Sequence, residues 1–226
     1  MTATSTSTSA TISPSPSAPA SEVDAAAGVL PTLPPAPDRR RPNVILVGTL
    51  FVIAGGVMLL GGLLAGYFSA RQVAQAANQE WPPKEVAIPN VQLFLAYLTL
   101  LMSSFTAQWA VSAIAGRDRR SMYVAIGLTL MLGLAFVNAL SFSWGQLGLE
   151  AGANRYANTV YALTVTHLLV VIVAMVGMVV MGFRAFGGQF SPRDRELVVA
   201  AAAFWHFAVA AGVVIWYCLW FLEGGP

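Results

Sequence analysis

The sequence predicts an all-α integral membrane protein, a bundle of five transmembrane helices, and three observations carry that prediction. Of 226 residues, 57% are hydrophobic and 10% charged, with a mean hydropathy of +0.67, whereas soluble domains carry about 25% charged residues. Five apolar segments follow one another, each long enough to cross about 30 Å of hydrocarbon at about 1.5 Å per residue. The basic residues fall in short clusters at segment ends rather than along one face. That pattern describes membrane topology and gives no sign of a nucleic-acid partner.

Residues 1–42 form a Ser-, Thr-, Ala- and Pro-rich stretch without aromatic residues, a composition that buries too little apolar surface to offset the entropy of ordering. It reads as a disordered tail. Arg39, Arg40 and Arg41 precede the first apolar run, but Pro42 follows them directly and that run is too long for a twin-arginine signal. A retained span fits better.

The spans are expected at about 44–69, 91–115, 121–145, 160–183 and 199–221, with no Asp, Glu, Lys or Arg in their interiors. Only helices satisfy their own backbone over such lengths in lipid. Short connections imply antiparallel packing of sequence neighbours. The first connection, residues 70–90, is the longest, and Trp81, Pro82, Pro83 and Pro89 keep it from being helical. With the N-terminus inside, nine arginines face the cytoplasm (Arg39, Arg40, Arg41, Arg117, Arg119, Arg120, Arg184, Arg193, Arg195). Only Arg71, Lys84 and Arg155 lie outside, so the excess of positive charge places the N-terminus in the cytoplasm and the C-terminus outside a bacterial-type cell membrane.

Chemistry is scarce in these spans. Cys218 is the single cysteine, which excludes an internal disulfide framework or cysteine metal cluster. An ionisable group inside a membrane costs at least ~2.5 kcal/mol and marks function by default. Here there are only His167 and His206, without the carboxylate or basic relay that autonomous ion transport needs. Two histidines could be axial haem ligands. From the expected boundaries they lie roughly 10 to 15 Å apart in depth, too far for one iron. Hydrogen bonding to a neighbouring helix, a carbonyl or a lipid headgroup is the simpler role for each. No catalytic, metal-binding or cofactor-binding residues are assigned. His167, His206 and Arg71 are candidate lipid-contacting or helix-packing polar positions.

Uncharged polar residues Gln92, Thr99, Ser103, Ser104, Thr106, Gln108, Asn138, Ser141 and Ser143 concentrate in the second and third spans, where hydrogen bonds of about 0.6 kcal/mol each join helices. The first span carries Gly55, Gly56, Gly61, Gly62 and Gly66, and Gly62 with Gly66 makes a GxxxG spacing. Gly55, Gly62 and Gly66 therefore mark a helix interface, within the bundle or with a partner subunit. Trp81, Trp144, Tyr156, Trp216, Tyr217 and Trp220 cluster near the outer ends, as expected of rings at the membrane–water interface.

Over residues 42–222 the chain resembles subunit III of the haem-copper (cytochrome c or quinol) oxidases, in the five-span form without the first two helices of longer members. The residues that carry the resemblance are Tyr67-Phe68-Ser69-Ala70-Arg71, then Trp81-Pro82-Pro83 with Pro89-Asn90, and Ser103-Ser104-Phe105-Thr106. In the fourth span Tyr161, Thr164 and His167 resemble the approach to the family's "HGLHV" run, and Phe204-Trp205-His206-Phe207 resembles its "YWHF". The chain departs from the family at ionisable positions. Gly56 and Ser143 stand where relatives have glutamates, Val170 at the second histidine and Val209 at an aspartate.

The resemblance implies a non-catalytic subunit that supports assembly, stability and lipid or oxygen access in aerobic electron transport. Its partners would be oxidase subunits I and II and membrane lipids. Haem and copper would sit in the partner, with bound phospholipid on this chain. The influence on proton uptake associated with the first-span glutamate does not carry over to Gly56. Two alternatives remain: a subunit III paralogue of a nitric oxide reductase, or a membrane carrier acting alone.

Overall fold

A computed structural model describes residues 43–187 and 196–222. The expectation for the tail, residues 1–42, lies outside the described residues. Five helices run in order: α1 (Val44–Ala76), α2 (Asn90–Ala115), α3 (Arg119–Gln146), α4 (Arg155–Phe186) and α5 (Glu196–Trp216), the last continuing as a π-turn over Tyr217–Phe221. All five are long and apolar enough to cross a membrane, and no strand occurs among the described residues.

Two helices are longer than their apolar runs. α1 extends past residue 69 through Arg71 to Ala76, because polar residues continue a helix once it leaves the hydrocarbon. It stops before Asn78, which adopts φ 53°. α4 begins at Arg155 rather than near 160, since Asn154 caps it by accepting from the Ala157 amide at 2.7 Å. Capping chemistry sets the helix start and hydropathy does not. Asp118 likewise caps α3 through the Ser121 amide at 3.1 Å.

Antiparallel pairing of sequence neighbours holds for α2 with α3 but fails for α1. α1 packs against α4 and α5 instead of α2. The 77–89 connection is long enough to release it, and Glu196 at the start of α5 accepts from the Leu46 amide at 2.9 Å. A carboxylate there satisfies one of α1's orphan N–H groups and complements its dipole. This contact sets the N-termini of α1 and α5 side by side.

The core lies among α2, α3, α4 and α5, filled by Leu93, Leu100, Phe136, Leu140, Val171, Met178 and Trp205. The connection after α1 folds back onto it. Trp81 donates its indole N–H to Tyr67 Oη at 3.1 Å and packs edge-on against Tyr67 and Tyr156, ring centroids 5.5 and 5.0 Å apart. Tyr156 and Trp220, expected as interfacial belt residues, are buried at 2% exposure each. Their rings find aromatic partners inside the bundle, whereas Tyr217 stays exposed.

Candidate functional site

His167 is fully buried on α4, with Nε2 2.9 Å from the Ala208 carbonyl oxygen on α5. A carbonyl only accepts, so Nε2 carries the proton. Gly212, one turn beyond, makes room for the ring: a Cβ there would come within 2.9 Å of His167 Cε1. His206 is half-buried on α5. Its Nδ1 lies 2.6 Å from Ser104 Oγ and its Nε2 3.3 Å from Gln108 Oε1, two α2 residues four apart on one face.

The expected separation in depth is wrong. His167 bonds to the carbonyl of a residue only two beyond His206, about 3 Å of rise along α5. Direction, not depth, keeps the two imidazoles from sharing an iron. Positions 206 and 208 differ by about 200° around α5, so the rings lie on opposite sides of that helix. Among the described residues no group of three or more His, Cys, Asp or Glu side chains could hold a metal.

Arg71 is half-buried near the C-terminal end of α1. Close to that end a cavity of about 330 Å³ is lined by Gln79, Glu80, Trp81, Asn154, Arg155 and Tyr156. Glu80 pairs with Lys84 at 2.6 Å on the surface, and the carboxylate's hydrogen bond and charge raise the lysine above its ordinary range.

The glycines of α1 divide. Gly55, Gly62 and Gly66 have nothing within 4 Å of where a Cβ would stand, so they are not an interface within the bundle; the chain leaves that face open. Gly56 is packed, and a Cβ there would meet Phe207 Cζ at 2.7 Å. A phenyl ring thus occupies the space beside Gly56, where the resemblance would imply a glutamate. The other departures are also accommodated without charge: Ser143 donates to the Ala139 carbonyl at 2.8 Å, and Val209 is buried in the core.

Other polar side chains join the helices. Trp205 donates to Ser103 Oγ at 3.0 Å, and Thr106 Oγ1 lies 2.7 Å from Thr129 Oγ1, linking α2 to α3. Tyr97, Gly133 and Gly212 were not marked by any sequence motif, because a lone tyrosine or glycine within an apolar run has the same local pattern whether it packs or faces lipid.

Residues 43–222 match the family model for cytochrome c oxidase subunit III. The probable cytochrome c oxidase subunit 3 of Mycobacterium tuberculosis is 29% identical, the match covering 81% of this chain and 90% of the relative. The protein with the same description from Nocardia farcinica is also 29% identical over the same shares. Cytochrome c oxidase subunit 3 of Corynebacterium diphtheriae is 24% identical, again over 81% and 90%. The match takes in all five helices, and the chain belongs to the cytochrome c oxidase subunit III family.

Proposed function

We propose that this chain is the non-catalytic subunit III of a haem-copper terminal oxidase, seated in a bacterial-type cell membrane beside subunits I and II with its N-terminus in the cytoplasm. The observation that carries the reading is a family match over every described helix, joined to spans whose two deep histidines are both engaged within the chain. Haem and copper then belong to the partner, and this chain contributes stability and lipid or oxygen access. The open glycine face of α1 supports a subunit contact there. Arg155 in the cavity's lining supports the binding of a phospholipid phosphate there.

The test is a mild-detergent pull-down of the tagged full chain, with a reduced-minus-oxidised spectrum and mass spectrometry of what accompanies it. Haem bands with an oxidase subunit I are expected. A nitric oxide reductase catalytic subunit in its place would reassign the complex, and a colourless, solitary, monodisperse protein would overturn the proposal.

A further inference from the structure

Among the described residues, the side-chain polar atoms Tyr97 Oη, His167 Nδ1, Trp220 Nε1 and Trp144 Nε1 are buried without a hydrogen-bond partner. Three of them belong to residues of one cluster of rings. Tyr97 on α2 stacks nearly parallel to His167 on α4, centroids 6.2 Å apart and planes at 20°. It also packs against Trp220 of the α5 π-turn at 5.6 Å. Phe136 of α3 closes the cluster at 5.2 Å from Tyr97 and 5.8 Å from His167. All four rings are at most 3% exposed.

The bonding capacities left over are complementary. Because His167 Nε2 donates to the Ala208 carbonyl, Nδ1 of the neutral ring is an acceptor in need of a donor. The Tyr97 hydroxyl and the Trp220 indole each have an N–H or O–H in need of an acceptor. Leaving such groups bare is costly, and buried waters typically make about three hydrogen bonds to groups of this kind.

We propose that the bundle has an internal water site at this cluster, in which water accepts from Tyr97 Oη–H, donates to His167 Nδ1, and takes its further bond from Trp220 Nε1–H. The site ties α2, α4 and the π-turn of α5 together through one polar node. It also fixes the His167 tautomer from both ends of the ring, with the Ala208 carbonyl on Nε2 and water on Nδ1.

The test uses the full chain in its native complex. A cryo-EM map that resolves ordered water is expected to show a peak within about 2.7–3.2 Å of both Tyr97 Oη and His167 Nδ1. Direct contact between those two atoms, or both in place with no peak, would overturn the proposal. Solid-state NMR of the ¹⁵N-histidine-labelled chain in membranes gives a second readout. His167 is expected to be protonated at Nε2, with water-proton transfer to an unprotonated Nδ1 that weakens in Tyr97→Phe. A proton on Nδ1, or no transfer from water in the unsubstituted chain, would sink it.

Discussion

Trp205 and Gly133 interlock across the bundle: a Cβ at Gly133 on α3 would stand 2.7 Å from Cη2 of the α5 tryptophan. The indole is 1% exposed and already bound to Ser103, so it cannot swing aside cheaply. Gly133→Ala is expected to destabilise by about 1–3 kcal/mol, the usual cost of overpacking. Equilibrium unfolding in mixed micelles measures it, with Gly127→Ala on the same helix, where nothing lies within 4 Å, as the neutral control. Equal stability of the two variants would mean that the Trp205 contact is not held in solution.

The hydroxyl of Ser103 is the acceptor that keeps the Trp205 indole satisfied. Ser103→Ala removes it with little change in volume. The expected loss is about 0.6 kcal/mol and at most about 1.7, the range for hydrogen bonds between membrane helices. A double-mutant cycle with Trp205→Phe isolates the pair, and a coupling energy of zero would assign the loss to packing alone.

Placing a carboxylate at Gly56, as the resemblance would imply, is expected to harm this chain rather than improve it. The Phe207 ring stands 2.7 Å from the Cβ position, and the rest of a glutamate would have to displace it while taking a charge into the span. Gly56→Glu should lower the yield of folded protein. Phe207→Ala combined with it should recover part of the loss, by supplying volume. Thermal melts in detergent check both, and failure of the second substitution to help would show that the charge dominates over the clash.

What could be read from the chain follows from what hydropathy measures. The five spans and their order were legible because lipid demands long apolar runs, and the family was legible because Trp81-Pro82-Pro83 and Phe204-Trp205-His206-Phe207 keep their order and spacing. The starts of α3 and α4 shifted because Asp118 and Asn154 cap outside the apolar run. The level of His167 is set by its bond to the Ala208 carbonyl on α5, a tertiary contact with no local pattern. The placement of α1 against α4 and α5 rests on tertiary contacts such as Glu196 to Leu46, and no local pattern encodes a partner 150 residues away.

Asp118 gives a pH-dependent helix end. Hydrogen bonds from the Ser121 hydroxyl and amide favour its carboxylate and lower its pKa from the ordinary 3.8. A depressed folded value means the contribution is complete above 3.8 and is lost as pH falls through the lower, folded value. The Ser121 amide followed by NMR should therefore titrate with a midpoint below 3.8. A midpoint at or above 3.8 would show that the cap does not form, and Asp118→Asn should retain the cap while abolishing the titration.

The open face of α1 has the most direct consequence for assembly. Gly55 and Gly62 are seven residues apart and Gly62 and Gly66 four, which sets them on one side of the helix, and each has free space where a Cβ would be. Gly62→Leu changes nothing the bundle itself uses, yet it would hold a partner helix several Å away. We therefore expect the variant to insert and melt as the parent does while its co-purification with an oxidase catalytic subunit falls at least about tenfold, the effect of losing about 1.4 kcal/mol of association. Gly61→Leu, about 100° round the helix, is the control. Unchanged co-purification in Gly62→Leu would remove this face from the interface. Equal loss from both variants would point to a general disturbance of α1 instead.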